Sequence, residues 1–103
     1  MFDPLERQRQ MVAKYPQNEL ARFSLGKALY DLGNHGEALE NLEIALAAKP
    51  DWMVVQILIG KSQQALGNGA EARRCFERAL KLAIEQHHEG PQSELEQLLS
   101  ELR

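Results

Sequence analysis

Cysteine is almost missing from this chain: Cys75 stands alone among 103 residues. One thiol cannot staple a chain to itself, so the fold must rest on an apolar core, and a reducing, cytoplasmic setting is compatible. Aromatic residues are also scarce, at 6%, too few for a base-stacking surface. Positive charge has no surplus, with 12 Lys and Arg against 15 Asp and Glu. Counterion release from phosphates needs the opposite balance, so no nucleic-acid partner is expected. No apolar run approaches the length of a bilayer span, and the opening MFDPLERQRQM lacks the apolar stretch of a signal peptide; neither a membrane nor a secretory route is expected. Catalytic signatures are wanting too. There is no glycine-rich phosphate loop, no zinc spacing and no evident carboxylate pair. His87 and His88 are adjacent and so do not share a helix face, and Cys75 has no histidine within a few turns before His87. The expectation is a non-enzyme with no metal and no cofactor. What remains is 44% hydrophobic residues in a length that supports one domain.

An internal echo organises the chain. Laying residues 17–50 over 51–84 pairs Gly26 with Gly60, Lys27 with Lys61, Leu32 with Leu66, Gly33 with Gly67 and Asn34 with Asn68. Glu37, Ala38, Glu43, Ala45 and Leu46 likewise meet their own kind at 71, 72, 77, 79 and 80. Chance would give about two matches over this length; the chain repeats itself. Each unit reads as two helices broken by a Gly-Asn turn, in which glycine ends one helix in the left-handed conformation and asparagine can cap the next. Small residues at Ala38, Ala45, Ala72 and Ala79 let helix backbones approach closely. Pro50 stops the first unit and Asp51 is the expected cap of the second. The run Met53 to Ile59 is β-branched enough for a strand, but its register against Leu20 to Leu25 predicts a helix. Leu25, Ile59, Leu32 and Leu66 are expected to complete the core.

The ends extend the pattern. Residues 3–14 read as a lone second-type helix capped by Asp3, and Pro16 precedes Pro50 by one repeat length. At the other end Gly90-Pro91 is expected to break the chain. Ser93 to Glu96 then reads as a capping box, and Leu95, Leu98, Leu99 and Leu102 form one helical face. The expected fold is an all-α helical repeat of six antiparallel helices, a superhelical solenoid in one domain. Its parts are an N-terminal capping helix in 1–16, repeats at 17–50 and 51–84, and a C-terminal extension with a capping helix in 85–103. Caps at both ends favour a complete stack.

Leu25-Gly26, Ala38-x3-Leu42 and Pro50 in one unit, with Ile59-Gly60 and Ala72-x3-Phe76 in the next, resemble the tetratricopeptide repeat family. The tryptophan and tyrosine of that pattern are replaced by Arg22 and Leu29, then by Gln56 and Gln63. Ile84 stands where the second proline would be, which predicts that the helix from Gly69 runs on towards His87. The resemblance implies a groove lined by first helices that holds another protein. Its lining would be Leu20, Phe23, Ser24, Lys27, Tyr30 and Asp31, with Val54, Ile57, Leu58, Lys61 and Gln64 from the next unit. Trp52, just after the turn at Pro50, reads as a recognition aromatic at the groove edge or as packed against the preceding helix. The carboxylate clamp used by relatives that grip chaperone tails is not expected, because Phe23 and Leu58 fall at its polar positions. Three occupants fit an apolar groove: a partner peptide, a second copy in a homodimer, or the chain's own C-terminal helix. Lys27 and Lys61 recur one repeat apart and read as solvated lysines or as acceptors of a ligand carboxylate or phosphate. Arg73, Arg74, Arg78 and Lys81 read as a solvated basic side partly paired with Glu40, Glu43 or Glu77.

Overall fold

The structure is a computed structural model and describes residues 3–102. Six helices follow one another: α1 (Glu6–Lys14), α2 (Glu19–Asp31), α3 (His35–Ala48), α4 (Met53–Ala65), α5 (Gly69–Glu85) and α6 (Glu89–Glu101). No strand occurs among the described residues, and Met53 to Ile59 is helical. Consecutive helices pack on one another, and α2 also touches α4, so the hairpins stack side by side into a body of 42 × 27 × 20 Å. This is the all-α helical repeat that the doubled pattern predicts.

The turns repeat as the residues do. Gly33 and Gly67 adopt φ of +83° and +84°, a region that a side chain disfavours. The amide of Gly33 donates to the Tyr30 carbonyl and that of Asn34 to Leu29; Gly67 and Asn68 do the same to Gln64 and Gln63. These paired bonds satisfy carbonyls that a helix end leaves open. At the end of α5 the same two bonds run from His87 to Ile84 and from His88 to Ala83, and His87 takes φ of +58° in the place of a glycine. The chain therefore breaks at His87, not at Gly90-Pro91, which lie inside the first turn of α6. Proline is welcome there because its missing amide would have no helical partner. The capping box at Ser93 is consequently unused, since the helix has already begun. α5 runs from Gly69 to Glu85, as the missing proline predicts.

Other caps depart from expectation. Asn18 caps α2, its Oδ1 accepting from the Ala21 amide at 2.9 Å. Asn34 and Asn68 occupy the cap positions without a side-chain cap bond; their amides donate to Glu37 and Gln63 instead. Asp51 is not the cap of α4, a position taken by Trp52. α1 starts at Glu6, and Asp3 stabilises the preceding turn by accepting from the Leu5 amide at 2.9 Å.

Two apolar clusters hold the stack. Leu25, Leu29, Leu42, Val55 and Ile59 form one with Leu5 and Cys75; Met53, Ile57, Phe76, Ala83 and Leu95 form the other. α4 supplies both, which is why it is apolar nearly all round. The four repeat alanines are fully buried. Gly26 and Gly60 mark the tightest crossings: a Cβ on Gly60 would lie 2.5 Å from the Phe76 ring, and one on Gly26 would lie 2.8 Å from Leu42 Cγ. Leu32 and Leu66 are not core. They sit just past the ends of α2 and α4, where the turn carries them outward, and are 56% and 45% exposed.

One regularity escapes the 34-residue comparison. α2, α4 and α6 each span 13 residues and each is followed by a leucine at the C-cap, Leu32, Leu66 or Leu102. The starts of α4 and α6 lie two residues further apart than those of α2 and α4, because α5 is three residues longer than α3 and the turn after it is one residue shorter. With that shift Leu95 takes the core place of Leu25 and Ile59, and Glu96 falls where Gly26 and Gly60 stand.

Candidate functional site

The helices that begin each hairpin, α2 and α4, and their counterpart α6 enclose an open cleft of about 420 Å³. Its apolar lining comes from Val54, Ile57 and Leu58 of α4 and Pro91 of α6; Lys27, Lys61 and Glu94 add charge. Local sequence explains the placement. Ile57 turns its side chain into the α5 and α6 cluster and Leu58 into the other, so both are largely covered and form the floor. Val54 lies on the first turn between those directions and is 47% exposed. Lys27 Nζ reaches Asp31 on its own helix at 3.1 Å, whereas Lys61 Nζ reaches across to Glu94 of α6 at 3.6 Å.

A second open cleft of about 600 Å³ adjoins the first and shares Val54 and Pro91 with it; Trp52, Lys49, Met53 and His88 also line it. Trp52 is packed rather than free. Its ring lies 4.8 Å from that of Phe23, tilted by 37°, and Lys49 Nζ stands 5.3 Å from its centre. Gln86 of the α5 end donates to the Asp51 carbonyl at 3.3 Å, tying the two turns that flank this cleft.

Five of the groove residues expected from sequence thus meet in one cleft: Lys27, Val54, Ile57, Leu58 and Lys61. Trp52 belongs to the adjoining one, with Phe23 against it. Leu20 is 63% exposed and Ser24 is exposed, both outside the lining. Tyr30 packs edge-on to His35 at 5.2 Å between ring centres, Asp31 pairs with Lys27, and Gln64 faces solvent. Sequence comparison missed Gly90, Pro91 and Glu94, because the insertion before α6 breaks the 34-residue register; the leucine spacing of α2, shifted by two residues, would have found them.

The remaining reactive side chains are dispersed. Cys75 is buried beside Phe76, and burial pushes its thiol above the ordinary value. His87 sits in the turn and His88 at the start of α6. Among the described residues no three His, Cys, Asp or Glu side chains gather as a metal site would require. The basic side of α5 pairs otherwise than expected, Arg74 with Glu71 at 2.6 Å, while Arg73 donates to the Leu102 carbonyl. On α1, Arg9 holds Glu37 of α3 through two bonds, at 2.6 and 3.2 Å, and that contact keeps the Glu37 carboxyl below its ordinary value. No helix among the described residues is long and apolar enough to cross a membrane.

Comparison with known proteins agrees with this geometry. The tetratricopeptide repeat pattern matches residues 5–51 and again residues 55–83. TPR repeat-containing protein PA0015 of Pseudomonas aeruginosa is 33% identical over 102 residues, covering 99% of this chain and 94% of that protein. The solution structure of protein BPP2914 from Bordetella parapertussis superposes with a TM-score of 0.84 at 32% identity, over 99% of this chain and 89% of that one. The TPR2B domain of yeast Sti1, in complex with pHsp70, has the same TM-score of 0.84 at 19% identity, over 95% of this chain and 78% of that one. With its two matched units, its paired Gly-Asn turns and its stacked hairpins, the chain belongs to the tetratricopeptide repeat family.

Proposed function

We propose that this chain is a non-catalytic protein-interaction module that holds a segment of a partner protein in the cleft between α2, α4 and α6. The observation that carries this reading is Val54: an apolar side chain, 47% exposed, standing over a floor of Ile57 and Leu58 and facing Pro91 across an open cleft. A face of that kind is completed by an apolar or amphipathic segment from another chain. The family is an interaction fold, and a structural neighbour, the Sti1 domain, is known in complex with pHsp70. Covering Val54 and the remaining exposed parts of its neighbours yields a few kcal/mol at about 25 cal/mol per Å². Association itself costs an estimated 4–15 kcal/mol, so the complex is of weak to moderate affinity unless contacts beyond the cleft add to it.

On the same reading, 17–50 and 51–84 are the two complete repeats, α1 is a lone second helix and α6 a lone first helix. The single thiol at Cys75 suits a cytoplasmic setting. The test is capture of partner proteins on immobilised chain, wild type against Val54→Glu. Val54 is exposed enough for the variant to keep its helical content, and capture is expected to be lost. Equal capture by both would refute the cleft as the site. A molar mass that rises with concentration for the wild type and not for the variant would instead assign the cleft to a second copy of the chain.

A further inference from the structure

We propose that the segment held in the cleft carries an internal carboxylate that displaces Glu94 from Lys61, beside an apolar side chain seated over Val54 and Pro91. This rests on the cleft being the binding site. The ion pair between Lys61 and Glu94 bridges α4 and α6, and both residues line the cleft. Glu94 thus occupies, from within the chain, the place where a ligand carboxylate would meet Lys61. Lys27 lines the same cleft from α2 and pairs with Asp31, which lies outside the lining. Two cations from neighbouring helices therefore border one apolar floor, in a chain whose acids outnumber its bases.

The pairs that hold these lysines are exchangeable. The Glu94 and Asp31 side chains are 52% and 57% exposed, and ion pairs of such exposure are worth about 0–1 kcal/mol. An incoming carboxylate would replace one such contact, with the cation of Lys27 bordering the same apolar floor, which excludes part of the water. Releasing Glu94 would leave its charge to solvent, a small loss at that exposure. The geometry also sets a spacing. From Val54 to Lys61 the helix rises about 10 Å, which an extended backbone covers in about three residues. Side chains on one side of such a backbone recur every second residue. The carboxylate therefore stands two or four residues from the apolar anchor.

The test uses acetylated and amidated peptides of sequence Ser-Leu-Ser-Glu-Ser-Glu-Ser, with Gln and Lys counterparts at both Glu positions. They are titrated to millimolar concentration against the full chain, with fluorescence of Trp52, the one tryptophan, as readout. The glutamate peptide is expected to give a saturable change. Its affinity is expected to drop about fivefold in Lys61→Gln and in Lys27→Gln, the scale of one exposed ion pair. Glu94→Gln, which removes the internal competitor, is expected to tighten the glutamate peptide about threefold and to leave the glutamine peptide unchanged. Lys81→Gln, on α5, is expected to have no effect. Circular dichroism of each variant separates a binding loss from a folding loss. Equal affinity of glutamate and glutamine peptides, or no gain from Glu94→Gln, overturns the carboxylate while leaving the cleft as a site so long as Val54→Glu still abolishes binding. Preference for the lysine peptide, or no saturable change with any peptide, also overturns the proposal. Binding that Val54→Glu does not affect counts against the cleft itself.

Discussion

Gly60→Ala is the sharpest perturbation of the stack. In an open helix interior the change stabilises by up to about 1 kcal/mol, because alanine has the better helix propensity. Here the new methyl carbon would sit 2.5 and 2.7 Å from two atoms of the Phe76 ring and 3.2 Å from Cys75 Cβ. Ordinary contact begins at 3.4 Å, so the ring must retreat by nearly an ångström. Phe76 is fully buried among Ala72, Ala79 and Leu95, which are fully buried themselves, and has no slack to do so. Overpacking of this kind costs about 1–3 kcal/mol. With a displacement this large the upper part of that range applies, and subtracting the propensity gain leaves a net loss of about 1–2 kcal/mol. At roughly 4–8 °C per kcal/mol for a domain of this size, the midpoint of thermal unfolding followed by circular dichroism should fall by about 4–16 °C. Gly69→Ala is the control, since nothing lies within 4 Å of its added carbon; it should leave the midpoint unchanged or raise it. Combining Gly60→Ala with Phe76→Leu should lose less than the sum of the two single changes, because the smaller side chain makes room. Gly60→Ala as stable as the parent, or Gly69→Ala equally damaged, would refute the close-packed crossing.

Other outcomes follow from single contacts. His87→Gly should stabilise the chain by up to about 1 kcal/mol in urea unfolding, since a left-handed residue with a side chain carries about 1–2 kcal/mol of strain, offset in part by the flexibility glycine adds to the unfolded chain. Leu95→Ala, emptying the main anchor of α6, should lose about 2–5 kcal/mol, with the amides of α6 the first to gain hydrogen exchange. The tie between α1 and α3 should depend on acid. Because the bond from Arg9 holds the folded Glu37 carboxyl low, its contribution is complete above the ordinary carboxylate range and fades as pH falls through the lower, folded value. Glu37→Gln should abolish that part of the pH dependence in stability titrations. Cys75 should resist alkylation in the native chain and react fully in denaturant, as burial keeps it protonated and covered.

The repeat, the helical class and the glycine turns were legible without coordinates, because they depend on local chemistry. Glycine at 33 and 67 is called for by a left-handed helix end, and alanine at 38, 45, 72 and 79 by close helix packing; both recur at fixed spacing. Five of the eight residues that line the cleft were legible for the same reason, since Val54, Ile57, Leu58, Lys27 and Lys61 take their directions from α2 and α4 alone. The caps were less so. Asp51 and Ser93 look like helix starts, but start positions are set by where the preceding helix lets the chain go. Leu32 and Leu66 have the composition of core residues, yet the turns that follow them decide that they face water.

Two features were set by how the hairpins pack. α6 became a third wall of the cleft only because α5 is longer and His87 turns the chain where a glycine would be expected, an insertion that hides the third helix from any fixed-period comparison. Glu94 became the partner of Lys61 only because α6 then lies beside α4, a juxtaposition of residues 33 positions apart that no local pattern contains. Sequence by itself determined what each helix is and how it ends, since those depend on the nearest few neighbours; packing decided which helices share a cleft and which charges face one another across it, since those depend on how the hairpins stack.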